Sequence, residues 1–89
     1  MSSLVLHVEP CAQVVQCSDT ELIVHLTDGR IISVPLIWFP RLANATAEQR
    51  KNYELLGMGE GIHWPDIDED ISILGLLAGN PSVEFQPGA

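Results

Sequence analysis

Basic residues are scarce in this chain. It contains four Lys and Arg against twelve Asp and Glu, which gives a formal net charge of −8. A nucleic-acid-binding surface needs clustered Lys and Arg to displace the counterions of the phosphate backbone. Anionic membrane surfaces attract the same side chains. The composition therefore argues against direct binding to nucleic acid or to a membrane, and it favours a basic protein as the partner.

The shortage of positive charge is greatest in the C-terminal half. Residues 52–89 hold seven acidic residues and no Lys or Arg, whereas residues 1–51 hold five acidic residues and all four bases. We therefore expect the negative field of the protein to arise mainly from its C-terminal half.

Long apolar runs and a cysteine framework are also missing. No stretch approaches the about 18 apolar residues that span a bilayer, and Met1–Val5 lacks the basic and apolar regions of a secretory signal. Two cysteines, Cys11 and Cys17, do not make a disulfide framework. These absences predict a cytoplasmic protein.

A chain of 89 residues, 46% of them hydrophobic, predicts one globular domain. We place this domain at residues 12–79. Residues 1–11 form an N-terminal extension in which Leu4–Glu9 has the pattern of an extra strand, and residues 80–89 form a flexible tail with two prolines. The core of so short a chain is marginal, and self-association often supplements it.

A β-hairpin is the clearest local prediction. Glu21–Leu26 and Ile31–Pro35 are rich in β-branched residues, and Asp28-Gly29 between them suits a type I′ turn. That turn pairs Thr27 with Arg30, so that position 26 faces 31, 25 faces 32 and 24 faces 33. One face then shows Leu22, Val24, Leu26 and Ile31, and the other shows Ile23, Ile32 and Val34 beside His25. Because both faces are apolar, we predict a homodimer or larger assembly.

Shorter elements complete an α+β fold, a small hairpin-based antiparallel sheet with two or three short helices. Ala12–Cys17 and Ile62–Trp64 read as strands. Thr46 and Gln49 have capping-box spacing, which predicts a short helix through about Tyr53. Ser72 is a good N-cap for a helix over Ile73–Ala78, and Gly79 ends that helix.

The segment Gly61–Ser72 is the densest group of functional residue types. Asp66, Asp68 and Asp70 alternate as in a calcium loop, but such a loop needs Gly at its sixth position and Glu at its twelfth, where this chain has Ile71 and Leu77. The simplest structural interpretation is an acid-rich turn before a helix, favoured by the helix dipole. The functional interpretation is a charged surface for a partner, made by His63, Asp66, Asp68, Glu69 and Asp70.

Other catalytic and ligand-binding patterns fail on spacing. His7, Cys11, Cys17 and His25 include no close Cys pair of the kind that holds zinc. Gly57-Met58-Gly59-Glu60-Gly61 is not a dinucleotide loop, because Ile62 stands where the third glycine belongs. No Ser or Cys lies in a recognisable nucleophile motif with a His and an Asp. We therefore predict no catalytic, metal-binding or cofactor-binding residues and no cofactor.

Trp64 has two possible roles. Next to Pro65 and flanked by acids, it has the chemistry of a protein-binding hot spot. Alternatively, its indole completes the small hydrophobic core.

The run from Gly61 to Ser72, followed by Leu76-Leu77, resembles the signature of the bacterial domain of unknown function 2442 family. The resemblance extends back through Ala45–Arg50, Pro40-Arg41-Leu42, Trp38, Val34-Pro35-Leu36 and Thr27–Arg30, so that it covers roughly residues 12–79. It implies a small α+β domain built on a β-hairpin, with no established activity. It also implies relatives fused to a helix-turn-helix domain, and many encoded beside another small protein in an arrangement similar to toxin–antitoxin pairs.

Three functional hypotheses follow. The first is an acidic protein-interaction module, the antitoxin-like or accessory member of a two-protein system, which binds a small basic protein through His63, Trp64, Asp66, Asp68, Glu69 and Asp70. The second is a metal-dependent or acid–base enzyme that uses His63, Asp66, Asp68 and Asp70. The third is a purely structural homodimer. We favour the first, a protein that is not an enzyme.

Overall fold

The computed structural model describes residues 10–87, which form an α+β domain as predicted. A first antiparallel sheet has the strand order β1-β2-β3 and a second has the order β4-β5-β6. The strands are β1 Ala12–Cys17, β2 Glu21–Leu26, β3 Ile31–Pro35, β4 Glu54–Leu56, β5 Gly61–Trp64 and β6 Glu69–Ser72. A 3₁₀ turn at Leu36–Trp38 and the helices α1 Pro40–Ala43, α2 Ala47–Lys51 and α3 Ile73–Leu77 connect or follow them. None of the described helices is long enough to cross a membrane.

The β2–β3 turn differs from the predicted type I′ turn. Gly29 has a φ of +95°, whereas Asp28 keeps a negative φ. The Gly29 N–H donates to the Leu26 carbonyl oxygen (3.1 Å) and the Leu26 N–H donates to the Arg30 carbonyl oxygen (2.8 Å), which makes a three-residue loop with a left-handed glycine. The Asp28 carboxylate stabilises this loop by accepting from the backbone N–H (3.0 Å) and the Nε (2.8 Å) of Arg30.

The longer loop shifts the strand register by one residue, so the predicted pairing and the predicted faces are wrong. Val24 lies opposite Ile32, and Leu22 lies opposite Val34. The apolar face therefore combines both strands and packs onto the core. The opposite face has Ile23, His25, Ile31 and Ser33, with Ile31 60% exposed. Only one face of the hairpin is uniformly apolar, which removes part of the argument for a homodimer.

The second sheet was only partly predicted. The sequence indicated β5, but β4 was missed, and β6 lies where an acid-rich turn before a helix was expected. The turn itself is confined to residues 65–68, where Asp68 adopts the left-handed φ of +52°. Glu69 and Asp70 belong to a strand and pair with Trp64 and His63.

Trp64 connects the two sheets. Its side chain is fully buried, and its indole Nε1 donates to the Arg50 carbonyl oxygen at the end of α2 (3.0 Å). The ring of Tyr53 lies against it, with centroids 6.4 Å apart. The Tyr53 hydroxyl accepts from the backbone N–H of Val15 in β1 (3.3 Å). A contact chain thus runs from the edge of the first sheet through Tyr53 to the centre of the second.

The helix caps confirm the local sequence signals. Thr46 and Gln49 form both bonds of a capping box at α2, and the Ser72 hydroxyl accepts from the Gly75 N–H at the start of α3 (3.0 Å). Gly79, with a φ of +78°, follows α3 as predicted. Helix α2 ends at Lys51, two residues before the predicted end at Tyr53.

The chain ends were predicted as an extension and a tail. Leu4–Glu9 lies outside the described residues. Residues 80–87 contact the domain: the Ser82 N–H donates to the Trp38 carbonyl oxygen (3.0 Å), and Glu84 binds Arg41.

We expect Trp64→Phe to lower the free energy of unfolding by about 2–3 kcal/mol, because it leaves a cavity and an unpaired Arg50 carbonyl. Trp38 is only half-buried and is the matched control. Trp38→Phe should cost less than about 1 kcal/mol. Urea denaturation followed by circular dichroism measures both. Equal losses in the two variants would contradict the role assigned to Trp64.

Candidate functional site

The β5–β6 hairpin sorts the predicted interaction residues into two groups. Asp66 and Asp68 lie in the exposed turn, and Asp70 lies on the outward face of β6. Glu69 and Trp64 lie on the inward face, because side chains alternate along a strand. His63 is half-buried on the outward face of β5.

Two of the predicted surface residues are therefore not on the surface. Trp64 has no exposed area, so of its two possible roles the structure supports the one in the core. Glu69 is only 8% exposed, so it adds little to the exposed acidic surface, although its carboxylate oxygens still reach solvent. The reason is shared: the two residues are cross-strand neighbours and enter the interior on the same face of the sheet.

His63 lies between two acidic residues on the outward face of the second sheet. Its Nδ1 pairs with the Asp70 carboxylate on one side. On the other side its register partner in β4 is Glu54. His63 therefore lies in a cross-strand row with two acidic residues, of which Asp70 is largely open to solvent.

The residues of the enzyme alternative make separate contacts. Asp66 accepts from the Asn52 Nδ2 (3.0 Å), Asp68 lies near Arg41, and His63 pairs with Asp70. Within residues 10–87, no three His, Cys, Asp or Glu side chains come close enough to share a metal ion. The structure thus does not assemble His63, Asp66, Asp68 and Asp70 into one centre, and it does not assemble Cys11, Cys17 and His25 either. His7 lies outside the described residues.

Arg41 is a site residue that the sequence reasoning missed. Its Nε and Nη2 donate to the Glu84 carboxylate, each at 3.1 Å. Its Nη1 donates to the Asp68 carbonyl oxygen (2.7 Å) and lies 3.9 Å from the Asp68 carboxylate. These partners are 27 and 43 residues away along the chain, so no local pattern indicates them. The one available signal was the presence of Arg41 in the family-like run Pro40-Arg41-Leu42.

A groove of about 410 Å³ lies between β6, α3 and residues 80–84. Its walls include apolar Phe39, Ile71 and Leu76 together with charged Arg41, Glu69 and Glu84. Residues 68–72, at the end of the acidic hairpin, form one side of this groove, and the C-terminal segment 80–84 forms another.

Glu69 is the unusual residue of this groove. Its carboxylate makes no hydrogen bond, and no ion pair within 4.0 Å, to any residue from 10 to 87, and its oxygens keep contact with solvent. Burial raises the pKa of Glu69, and the nearby Arg41 guanidinium opposes that rise only in part. Arg41 does not pair with Glu69 because its donors are directed to Glu84 and Asp68.

The model of the protein of unknown function (DUF2442) family matches residues 12–82 of the chain. The chain belongs to the DUF2442 family. The resemblance seen in the sequence is thereby confirmed, and with it the α+β fold. No curated protein matches the chain.

Two solved structures resemble this DUF2442 protein. One is a crystal structure of a protein of unknown function from Rhodospirillum rubrum, with 33% identity, a TM-score of 0.72, and coverage of 86% of this chain and 95% of that chain. The other is a solution structure of an uncharacterised protein from Chromobacterium violaceum, with 24% identity, a TM-score of 0.69, and coverage of 83% of this chain and 70% of that chain. The second likeness, at 24% identity, shows the fold alone.

The raised pKa of Glu69 in this DUF2442 protein predicts a pH-dependent effect on stability. Because the native state holds the Glu69 proton more tightly than the unfolded state, its stabilising contribution is complete below the ordinary pKa of Glu and is lost as the pH rises through the raised value. Glu69→Gln should therefore raise the urea midpoint at pH 7, and the gain should vanish below about pH 4.

Glu48→Gln is the matched control, since Glu48 is exposed in the first turn of α2. It should give no gain at pH 7. A lower midpoint for Glu69→Gln at pH 7 would mean that attraction to Arg41 outweighs burial.

Proposed function

We propose that this DUF2442 protein is an acidic protein-interaction module that binds a small basic protein, as the antitoxin-like or accessory member of a two-protein system. The observation that carries this proposal is the β5–β6 hairpin, which exposes Asp66, Asp68 and Asp70 together. Residues 52–89 contain no Lys or Arg to neutralise them.

Internal ion pairs remove little of this charge. Arg41 is the base that contacts the hairpin turn, and Glu84 already pairs with it. Arg30 pairs with Asp28 in the first sheet, and Arg50 donates to the carbonyl oxygens of Leu42 and Ala43 (2.9 and 2.8 Å). Because Asp68 and Asp70 are largely solvent-exposed, their field reaches an approaching partner.

The chemistry of this surface favours recognition over reaction. Exposed carboxylates steer a basic partner and set its orientation, and they repel phosphate and acidic proteins. The family resemblance adds the expectation of a second small protein encoded nearby. The enzyme alternative has no comparable support, because its four residues lie in separate contacts.

The test begins with the partner. Affinity capture of the tagged protein from its native host should yield one basic protein in about equal amounts, and both proteins are then purified. The variant Asp66→Asn, Asp68→Asn, Asp70→Asn removes three charges from the hairpin. Asn also tolerates the left-handed conformation at position 68.

We expect this triple variant to lower the association rate about tenfold at low salt and to flatten its salt dependence, because electrostatic steering is lost. The matched control is Asp19→Asn, Glu21→Gln, Glu48→Gln, which removes three exposed charges from other parts of the domain. It should change the rate less than about twofold. Circular dichroism checks that both variants are folded. If the hairpin variant associates at the wild-type rate, the acidic surface does not recruit the partner, and its role is limited to solubility.

A homodimer remains a prediction with a specific surface. On the outward face of the first sheet, Val14, His25 and Ile31 lie in one cross-strand row, and Val14 and Ile31 are 40% and 60% exposed. We expect light scattering to report a dimer at high micromolar concentration, and Ile31→Lys to return it to a monomer. A monomeric wild-type protein would overturn this prediction.

A further inference from the structure

Strand β6 leaves one edge of the second sheet open. The Ile73 N–H donates to the Glu60 carbonyl oxygen (3.0 Å), and the bonding pattern repeats every second residue. The backbone groups of Ile71 and Glu69 are therefore directed to β5, whereas those of Asp70 and Ser72 are directed away from it. No further strand pairs with β6 in the described part of the chain. An open strand edge of this kind is a template for an added strand.

The groove beside this edge contains a carboxylate that a cation from a partner can reach. Glu69 is 8% exposed as a residue and lines the groove. Its carboxylate makes no hydrogen bond within residues 10–87, and its oxygens keep contact with solvent. A partly desolvated carboxylate that solvent still reaches is open to a charge-assisted hydrogen bond, which a partner's Lys or Arg would supply. Arg41 cannot take this role without releasing Glu84.

The rim of the groove determines the charge of its occupant. Asp68, Asp70 and Glu84 line it, and Arg41 is the base among its lining residues. A second copy of this chain, with a net charge of −8, is therefore a poor occupant. An extended basic segment has a positive charge that complements the acidic rim. It also has backbone N–H and C=O groups that can pair with the open edge of β6.

We propose that an extended segment of a basic partner protein adds a strand to the open edge of β6 and places an Arg or Lys side chain beside Glu69. This proposal rests on the proposed function and specifies how the partner is held. Glu69 and Ile71 lie two residues apart on the inward face. The segment should therefore carry a cationic and an apolar residue at the same spacing, since alternate residues share a face.

The probe is the blocked peptide acetyl-Thr-Val-Thr-Arg-Thr-Val-Thr-amide, which has the required spacing in both chain directions. Titrated into the ¹⁵N-labelled full chain, it should shift the amide signals of Asp70 and Ser72 and slow their hydrogen exchange. A peptide with Gln in place of Arg should bind about tenfold more weakly, because about 1.4 kcal/mol of charge-assisted bonding is lost.

The protein variants separate the Glu69 contact from general attraction. Glu69→Gln should weaken binding of the Arg peptide about tenfold and leave the Gln peptide unchanged. Glu48→Gln removes the same charge from an exposed position and should leave both peptides unchanged. Equal binding of the Arg peptide to wild type and Glu69→Gln would overturn the proposal. So would shifts confined to the first sheet, or no binding at about 5 mM peptide.

Failure of this proposal is distinguishable from failure of the proposed function. Suppose that the hairpin triple variant slows association with the native partner but Glu69→Gln binds that partner normally. The acidic interaction surface is then supported, and the proposed binding of a segment beside Glu69 is contradicted. If no basic partner is found, the proposed function fails even where the peptide binds as expected.

Discussion

The burial of Trp64 is the constraint on which the rest of the structure depends. The indole fills the space between α2 and the second sheet and gives its N–H to the Arg50 carbonyl oxygen. Glu69 is the cross-strand neighbour of Trp64 and must therefore lie on the same inward face. The packing of Trp64 thus places the Glu69 side chain on the inward face, where partial burial raises the pKa of its carboxyl group.

The same alternation distributes the remaining acidic residues. Asp70 and Ser72 face outward, and Asp66 and Asp68 occupy the turn. Arg41 secures this turn by binding the Asp68 carbonyl oxygen, and it secures the C-terminal segment by binding Glu84. Because these contacts occupy the guanidinium, Arg41 acts on Glu69 only at a distance, and the Glu69 carboxylate makes no hydrogen bond within residues 10–87. The β5–β6 hairpin therefore contributes Trp64 to the core and Glu69 to the proposed binding site.

Local signals in the sequence predicted local structure well. The strands of the first sheet and the caps at Thr46 and Ser72 depend on neighbouring residues, and all are confirmed. The register failed because Asp-Gly suits more than one turn type, and a single extra loop residue moves every pair. Strand β6 was missed because acidic residues are depleted in strands, and here pairing with β5 overrides that preference. Of the site, the acidic segment was visible in the sequence, whereas the inward position of Glu69 and the contacts of Arg41 depend on long-range packing.

Glu69 is mostly covered and makes no hydrogen bond within residues 10–87 of the free protein, and we propose that it gains a cation when the partner binds. A ¹³C NMR titration of the Glu69 side-chain carboxyl tests it most directly, in the free chain and with the Arg peptide bound. We expect the pKa of Glu69 to lie above the ordinary value for Glu in the free protein and to fall clearly when the cation arrives. An ordinary or lowered pKa in the free protein, or no change on binding, would contradict it.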